Sequence, residues 1–500
     1  MGTKTGMQAR PAAADGVGLR TAAIRVPNER SIGKRPEEDN SQPIGYNPSP
    51  MSRNTATDES GSPPPLERQP AVAATSPLAA RVVALAAMLM IYGLAYFQRT
   101  GIPGTIFDEL QYDFGLSASV VTALGAVFVY VYAGMQLVVG IAADRYGGRR
   151  TLLFGSVIMC AGAVLFPSAR STTMLFASRV LIGFGSSFVY LSIVKELDTL
   201  FAARHFAGLL GLSMLASYTG NIAATLPFER AVHHFGWRDT LAAVAVVSVL
   251  AVAVAWVVLR RLKQFPVRRG GPPVKLLWDV LRNRRSWALL VCGVINFPVL
   301  FVIQGVLGKK FLQDVVGLSS AGAAAFVAVL ATVCGLAAVS GGPVLRLTGQ
   351  RRKPVILGAT GMILASTLLM LLAVLAAAPG WVFLVGYVVL ALSITGSPAT
   401  SATMKELNRP DAVAVTISVL NTVSYVGVGV LGNAAGAILD AFGGQAKVAG
   451  ARVVYPTAAY ATVFACLTGL ALVSTLVIIF LVPETHGRVL ALPEIDRELT

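Results

Sequence analysis

Charged residues are scarce in this sequence. Asp, Glu, Lys and Arg together make up 13% of the 500 residues, whereas hydrophobic residues make up 55%. An ordinary soluble protein carries about 25% charged residues, so this chain has roughly half the charge that a water-facing surface requires. The mean hydropathy of +0.67 agrees. The composition therefore argues against a soluble globular protein.

Cysteine is also rare, and the sequence motifs of catalysis are missing. The four cysteines lie inside apolar runs and none belongs to a Cys-x-x-Cys pair, which predicts small buried side chains rather than a disulfide framework or a zinc site. No run contains a Gly-x-Ser-x-Gly motif, a pair of carboxylates or a Walker-type nucleotide loop. We therefore expect neither an enzyme nor an ATP-driven pump, and we expect no cofactor and no metal.

Long apolar stretches, by contrast, are abundant. A membrane-spanning helix needs about 20 apolar residues, and these stretches lack the polar–apolar alternation expected of a membrane β-barrel. The sequence therefore predicts an all-α membrane protein with twelve transmembrane helices. The runs are 80–104, 119–140, 151–168, 172–194, 207–228, 239–260, 287–308, 320–343, 354–377, 381–403, 412–435 and 457–482.

One short charged turn occurs twice. Residues 140–150 read Gly-Ile-Ala-Ala-Asp-Arg-Tyr-Gly-Gly-Arg-Arg, and two of the glycines and the paired arginines of this turn return 202 residues later, as Gly342, Gly349, Arg351 and Arg352. The tripeptide Gly-Leu-Ser that begins at Gly115 recurs from Gly317, at the same offset. These matches predict two copies of one unit of about two hundred residues, with six spanning helices in each.

The net charge of +16 would suit a nucleic-acid partner, but the positions of the basic residues indicate another cause. An even number of spanning helices puts both termini on one side. The loops between spans on that side hold 20 Lys and Arg residues, whereas the loops on the opposite side hold 7. Cytoplasmic loops of membrane proteins carry this excess. We therefore expect cytoplasmic termini, a location in the plasma (inner) membrane, and no nucleic-acid partner.

The predicted domain boundaries follow from the composition. Residues 1–78 are rich in Pro, Gly and Ser and are expected to be a disordered cytoplasmic tail. Residues 79–260 and 287–483 are the two six-helix bundles. Residues 261–286 form a basic linker whose second part has the spacing of an amphipathic helix that would lie on the membrane surface. Residues 484–500 form a cytoplasmic C-terminal tail.

These features resemble the major facilitator superfamily of secondary transporters. Residues 140–150 match its G-x-x-x-D-R-x-G-x-R-R signature, and Arg179-x-x-x-Gly183-x-Gly185 is similar to its second signature. The resemblance implies two six-helix bundles related by a pseudo-two-fold axis along the membrane normal. It also implies a substrate site between them near the midplane, and transport by alternating access. The fifth run lacks the Gly-Pro signature of the drug–proton antiporters in this family.

The turn after the second span is expected to act as a conformational latch. Asp144 ends that span, and the eleventh span begins after Arg409-Pro410-Asp411, where exposed amides carry partial positive charge. In an outward-open state Asp144 would approach these amides and hold the cytoplasmic side shut, a role that the resemblance also implies. Arg145 would then reach Glu196 or Asp198 on the fourth span. The latch candidates are Gly140, Asp144, Arg145, Gly147, Arg149, Arg150, Glu196 and Asp198.

Arg99 is the leading candidate for contact with substrate. If the first helix continues to about Leu110, Arg99 lies roughly 15 Å inside its outer end, near the midplane. A buried cation is usually functional, and a guanidinium binds carboxylate or phosphate through two parallel hydrogen bonds. The alternative is that the helix ends at Gly101–Pro103 and Arg99 reaches the outer interface. The other candidates for substrate contact are Tyr96, Gln98, Asn296, Gln304, Asn421 and Tyr425.

Three further cations near the pathway have two interpretations each. Arg179 is a candidate for ion coupling, or else a structural arginine capped by carbonyls. Lys309 and Lys310 would draw an anion inward, or would face water, which is the interpretation that the sequence favours. By the 202-residue offset Arg99 corresponds to Phe301, so the second half has no matching cation.

The sequence thus predicts a secondary transporter of a small organic anion. The alternatives are a proton-driven exporter of drugs or metabolites, and a transporter-like receptor that binds without carrying. The expected partners are a small-molecule substrate, the lipid bilayer, and a coupling proton or counter-anion. The protein is expected to be a monomer.

Overall fold

Helices make up nearly all of the structure, which is a computed structural model. It describes residues 77–201, 203–262, 274–409, 413–450 and 452–487. All of these belong to one folded unit, Arg68–Thr500. Most of both predicted tails lies outside the described residues. The structure describes only residues 77–78 of the first tail and 484–487 of the second. Most of the basic part of the linker also lies outside the described residues.

The described residues of the first half form eight helices. Six of the segments that they form are long and apolar enough to cross a membrane. The short helices α2 and α7 extend spans one and five at one face of the bundle. The helices are α1 (Leu78–Gly101), α2 (Phe107–Phe114), α3 (Ala118–Tyr146), α4 (Gly148–Leu165), α5 (Thr172–Leu200), α6 (Ala203–Ala223), α7 (Leu226–Phe235) and α8 (Trp237–Arg261).

The second half repeats this plan. A π-helical turn, Ile303–Leu307, joins α10 to α11, and a 3-10 turn, Ser393–Gly396, joins α14 to α15. The other elements are α9 (Val274–Arg282), α10 (Arg284–Val302), α11 (Gly308–Asp314), α12 (Ser320–Leu347), α13 (Arg352–Leu375), α14 (Gly380–Leu392), α15 (Ser397–Glu406), α16 (Val413–Ala441), the hairpin β1 (Lys447–Ala449) and β2 (Arg452–Val454), and α17 (Thr457–Leu481).

The prediction of twelve transmembrane helices is confirmed. Twelve helical segments within the described ranges qualify by length and composition, and their limits agree with the apolar runs to within a few residues at most ends. The linker boundaries differ slightly. Helix α8 runs to Arg261, and α9 and α10 occupy the second part of the predicted linker, because the apolar spacing there continues a helical period.

The repeated tripeptide marks the same local structure in both halves. Gly115 and Gly317 have positive φ angles of 62° and 73°, a conformation that ends the preceding helix and that glycine adopts without a Cβ clash. Two residues later, the hydroxyls of Ser117 and Ser319 accept hydrogen bonds from the amides of Val120 and Gly322 and cap the next helix. The repeated tripeptide therefore ends one helix and caps the next in both halves of the protein.

The two halves meet along three helix contacts. We call the face where α1 begins and α17 ends the terminal face, and the opposite one the distal face. Across the interface α3 packs against α16, α6 and α7 pack against α12, and α1 contacts the π-helical turn. Helices α3 and α16 run antiparallel, because one is an even span and the other an odd span.

The first span is broken, as in the alternative in which the helix ends at Gly101–Pro103. Helix α1 ends at Gly101, and the chain turns before α2 resumes at Phe107, so the continuous helix to Leu110 is wrong. The break frees carbonyls at the distal end of α1. Arg179, fully buried on α5, donates to the carbonyls of Gln98, Ile102 and Leu124 at 2.8, 3.1 and 3.0 Å. This is the carbonyl-capped arrangement, and the coupling role of Arg179 stays a prediction.

Replacing Arg179 should destabilise the protein. An Arg179→Met variant leaves three buried carbonyls without their donor, and each unpaired group costs about 1–3 kcal/mol. Arg179→Lys keeps the charge but lacks the planar fork that reaches three oxygens, so it should rescue stability only in part. Thermal unfolding of the purified protein would measure both effects. The exposed Arg170→Met is the matched control, and an Arg179→Met variant that melts with this control would contradict the bracing role.

Candidate functional site

A large cavity lies between the two halves. It has a volume of about 1040 Å³ and runs from the middle of the bundle toward the terminal face. Lys195 on α5 and Ser401 on α15 line the end of the cavity at the terminal face, each within two turns of the end of its helix. Tyr96 and Leu300 line the opposite end. This cavity is where a solute that enters from the terminal face would be held.

Four of the seven predicted substrate residues line this cavity: Tyr96, Asn296, Asn421 and Tyr425. The amide of Asn296 is already engaged, because it donates to the Thr360 hydroxyl at 2.8 Å and accepts from Ser474 at 2.8 Å. Asn421 is exposed to the cavity.

The other three predicted substrate residues are buried away from the cavity. Gln98 and Gln304 are 1% and 7% exposed, and the Oε1 atom of the first and the Nε2 atom of the second have no hydrogen-bond partner among the described residues. Arg99 is 5% exposed and is absent from the cavity lining. Its side chain does not reach the outer interface, even though the helix ends two residues later.

Tyrosines form much of the cavity wall, which the sequence analysis largely missed. Six tyrosines in the described part of the chain line the cavity, and only two of these were predicted. A signal existed, because a tyrosine inside an apolar run carries a hydroxyl that needs a polar neighbour or a cavity. The missed residues, including one glutamine, are Tyr92, Tyr132, Gln136, Tyr190 and Tyr218.

Arg99 is enclosed by aromatic rings. Its Cζ atom lies between 4.4 and 5.9 Å from five ring centroids, which is within cation–π range. Three of the four helices that supply the rings, α3, α10 and α16, are other than its own, and both halves of the protein contribute. We call these rings the aromatic cage: Tyr96 at 5.1 Å, Tyr132 at 5.6 Å, Phe297 at 5.9 Å, Phe301 at 5.1 Å and Tyr425 at 4.4 Å.

This environment leaves the guanidinium able to bind an anion. No carboxylate forms a salt bridge with Arg99 in the described part of the chain, and its Nε atom has no hydrogen-bond partner there. Aromatic faces stabilise a cation without satisfying its N–H donors in the plane of the fork. A carboxylate or phosphate that reached Arg99 would therefore find donors that rings cannot saturate.

The distal face is closed by contacts between the halves. The Lys309 Nζ atom donates to the carbonyl of Thr105 at 2.6 Å, and Gln111 Nε2 donates to the Tyr455 hydroxyl at 3.1 Å. A Cβ atom on Gly104 would lie 2.7 Å from the carbonyl oxygen of Gly305, so the two backbones touch. Access to the cavity from this face requires these contacts to separate.

A charge network covers the same face. Lys310 forms salt bridges with Asp108 at 2.8 Å and Asp314 at 2.9 Å, and Arg452 of the hairpin contacts these two carboxylates at 3.0 and 3.1 Å. Lys309 and Lys310 are 7% and 0% exposed, so the expectation that they face water is wrong. Their burial depends on partners from distant parts of the chain, which the sequence offset did not reveal.

Asp440 joins α16 to the start of α3. Its two carboxylate oxygens accept hydrogen bonds from the amides of Ala118 and Ser119 at 2.8 and 3.0 Å. These amides are unpaired donors at a helix N-terminus, where partial positive charge favours an anion. Asp440 therefore holds the distal ends of the two halves together at the antiparallel α3–α16 pair.

The predicted latch at the terminal face is only partly described. The side chains of Asp144 and Asp198 lie outside the described residues, as do Pro410 and Asp411. Glu196 accepts a hydrogen bond from the amide of Arg149 at 2.7 Å, whereas Arg145 is exposed and lies over the Tyr146 ring at 5.6 Å. The expected pairing of Arg145 with Glu196 is thus replaced by a helix cap in this conformation.

The remaining latch residues shape the turn itself. Gly147 has a φ of 85° and separates α3 from α4, and the Arg149 guanidinium donates to the carbonyls of Leu259 and Leu262 at 2.6 and 2.9 Å. Gly140 lines the cavity, and Arg150 is exposed at the terminal face. Their role in conformational change stays a prediction.

Twelve spanning helices in two repeated halves around one central cavity define a fold of the secondary-transporter type. The chain belongs to the Major Facilitator Superfamily, whose family model matches residues 88–432. This confirms the resemblance that the sequence motifs indicated.

Individual relatives are more distant. The chain is 25% identical over 257 residues to a probable chloroplastic anion transporter 2 of Oryza sativa subsp. japonica, an alignment that covers 47% of each chain. It is 30% identical over 139 residues to sugar carrier protein C of Ricinus communis, covering 27% of this chain and 26% of the relative. The chain thus matches less than half the length of these curated relatives.

A similar solved structure is the crystal structure of a bacterial homolog of the human lysosomal transporter Spinster, in an inward-facing and unoccupied conformation. The TM-score is 0.63 at 18% sequence identity, covering 81% of this chain and 98% of the other. At this identity the likeness shows the fold alone.

Removing the charge of Asp440 should open the distal face. In Asp440→Asn the Nδ2 atom is a donor and cannot replace the second acceptor oxygen, and the loss of charge weakens the interaction with the helix N-terminus by about 1 kcal/mol. The population should therefore shift away from the distal-closed conformation. Distances between spin labels at the distal ends of α3 and α16 would measure the shift. Asp239→Asn, an exposed change on the same face, should leave the distance distribution unaltered; equal distributions for both variants would exclude the proposed contact.

Acid should favour the distal-closed conformation through Glu109. Burial raises the pKa of Glu109 in α2, and the charge of Lys309 and a backbone hydrogen bond offset this only in part, while Asp108 and Glu229 add to it. A carboxyl whose pKa is raised on closure penalises the closed form at high pH. That penalty disappears as the pH falls toward the ordinary value of 4.5.

The same spin-label distances, recorded from about pH 8 down to pH 5, would test this pH dependence. The distal-closed fraction should rise on acidification in the unmodified protein and should change less in Glu109→Gln. The Asp239→Asn control should keep the full dependence. An unaltered pH dependence in Glu109→Gln would assign the effect to another group.

Proposed function

We propose that the protein is a secondary transporter that moves a small organic anion across a membrane by alternating access. The observation that carries this proposal is Arg99. Its guanidinium is buried between the halves beside a cavity of about 1040 Å³, and it forms no salt bridge with a carboxylate in the described part of the chain. A buried cation without a protein counter-ion is expensive to keep, which supports a role in binding an anion.

The composition of the cavity wall narrows the class of substrate. Lys195, at the end of the cavity near the terminal face, is the one charged residue among those that line the cavity within the described ranges. The rest of the polar wall consists of amides and hydroxyls, including Asn296, Asn421 and Tyr425. One guanidinium and several uncharged donors and acceptors suit a monoanion with a polar body better than a dianion.

The proposed orientation follows from the charge of the loops. The terminal face carries the larger number of Lys and Arg residues, so we assign it to the cytoplasm of a cell with the protein in its plasma (inner) membrane. The cavity of this structure would then face the cytoplasm, and the distal face would be its closed outer side. A coupling proton or a counter-anion would drive the cycle, with the protein acting as a monomer in the bilayer.

The similarity to an anion transporter supports this proposal. The similarity to a sugar carrier is the reason to include sugars among the solutes tested. Counterflow into proteoliposomes, with panels of monocarboxylates, sugars and drug-like cations, separates the classes. Uptake of monocarboxylates is the expected result. Cation-selective, proton-driven efflux would indicate the exporter, and binding without flux would indicate a receptor.

Arg99→Lys should lose most of the affinity for an anionic substrate. Lysine keeps the positive charge but cannot form two parallel hydrogen bonds, so we expect the apparent affinity to fall by about tenfold or more. Concentration-dependent uptake of the best monocarboxylate from the panel would measure this. Arg170→Lys, at an exposed position, is the control. Normal uptake by Arg99→Ala at low substrate concentration would exclude an anion site at Arg99.

A further inference from the structure

Tyr425 occupies a special place in the aromatic cage. Its ring centroid is the nearest of the five to the Arg99 Cζ atom, at 4.4 Å. Tyr425 lines the cavity, whereas Arg99 does not. Tyr96, Tyr132 and Phe297 also line the cavity, so a solute that moves toward the guanidinium meets these rings, and Tyr425 is the one nearest to the Arg99 Cζ atom.

Tyr425 is held in place by ring contacts and by a hydrogen bond between its hydroxyl and the Arg99 guanidinium. Its ring packs edge-on against Tyr132 at 4.9 Å, with an interplanar angle of 74°, and against Phe297 at 5.4 Å and 89°. Edge-on ring contacts are weak and tolerate reorientation, unlike the carbonyl caps of Arg179. The ring can therefore be exchanged for another partner of the guanidinium.

We propose that Tyr425 is a specificity-determining residue whose ring covers the approach from the cavity to Arg99 until a substrate displaces it. The inference rests on the proposed function, because it assumes that the anion binds Arg99. A small bare anion, such as acetate, gains only the guanidinium contact when it displaces the ring. A larger monoanion also gains hydrogen bonds along the cavity wall, so the ring selects against the small one.

The polar side chain that favours a larger anion lies on α16, the helix that carries Tyr425. Asn421 precedes Tyr425 by four residues on α16, so the two side chains project from one face, and both line the cavity. Asn421 is exposed to the cavity. An anion that displaces the ring of Tyr425 therefore brings its body next to the amide of Asn421.

Displacement of the ring also changes the contact between the halves. Arg99 and Tyr132 belong to the first half, and Tyr425 belongs to the second. A substrate that takes the place of the ring removes this cation–π contact across the interface. Substrate binding thus acts differently on conformations that keep the contact and conformations that lose it, which is the condition for driving a conformational change.

The accessibility of Arg99 tests the proposal without knowledge of the natural substrate. Phenylglyoxal reacts with guanidinium groups, and mass spectrometry of the peptide with Arg99 gives its rate of modification in the full-length protein. We expect Arg99 in Tyr425→Ala to react about tenfold faster than in the unmodified protein. The free energy of a desolvated cation–π contact corresponds to about this factor. Tyr425→Phe keeps the ring and should react slowly. Tyr190→Ala, a cavity change without an Arg99 contact, is the matched control.

Arg179 provides an internal reference for folding. It is fully buried, so its modification in any variant would show unfolding rather than an opened cage. If Tyr425→Ala fails this criterion, Tyr425→Leu replaces it, since leucine fills more of the space of the ring. An equal rate at Arg99 in the unmodified protein and in the folded Tyr425 variant would overturn the role of Tyr425.

Protection by acetate separates this role from the proposed function. In the Tyr425→Ala variant, acetate should slow the modification of Arg99 at about tenfold lower concentration than in the unmodified protein. Protection at equal concentrations in both would overturn the selectivity of the ring and leave the anion site intact. Fast modification that neither acetate nor gluconate nor phosphate slows would overturn the anion-binding function itself.

Discussion

The cost of burying a positive charge away from water organises this structure. Five cationic side chains are buried in the described part of the chain, and four of them are compensated by oxygen atoms. Arg179 is capped by three carbonyls, Lys309 donates to a carbonyl, and Lys310 and Arg352 contact carboxylates. Arg99 alone is compensated mainly by rings. Carbonyl and carboxylate oxygens satisfy the donors of a cation, whereas the rings around Arg99 leave its Nε atom without a partner in the described part of the chain, so the type of compensation separates structural cations from the candidate binding cation.

The antiparallel packing of α3 and α16 gives one helix pair two opposed ends. At the distal end, Asp440 near the C-terminus of α16 binds the N-terminal amides of α3. At the terminal end, the expected latch has the reverse order, with Asp144 near the C-terminus of α3 and the N-terminus of α16 opposite. Since rocking that closes one end opens the other, the two carboxylates would stabilise opposite conformations. The physics is the same at both ends, because a carboxylate near a helix N-terminus is favoured.

The spans could be predicted from the sequence, because about 20 consecutive apolar residues determine a transmembrane helix without reference to any other part of the chain. The repeated Gly-Leu-Ser predicted the duplication for a similar reason, since a positive φ and a helix cap are local. The break after Gly101 was one of two interpretations of the sequence, and the sequence did not decide between them. The carbonyls that it frees are capped by Arg179, which is 78 residues away, so no local pattern reveals that the break is stable.

The candidate site was predictable only in part for the same reason. Arg99 stood out because a cation inside an apolar run is rare. The rings that enclose it come from four helices, and the partners of Lys310 come from both halves and a hairpin, so their proximity depends on the packing of the whole fold. Hydrogen-bonding residues such as Asn296 and Gln304 looked equivalent in the sequence. Packing directs one of them to the cavity and buries the other.

The pseudo-two-fold axis explains why the two copies had to diverge along spans one and seven. Residues close to a two-fold axis meet their own counterparts, as in an isologous dimer. Asp108 and Lys310 are related by the 202-residue offset and form a salt bridge, where two identical charges would repel. Arg99 and Phe301 are related by the same offset, and the Arg99 Cζ atom lies 5.1 Å from the centroid of the Phe301 ring. Two arginines there would repel each other or would require two negative charges between them. One arginine against a ring places one positive charge instead of two at this point of the interface between the halves.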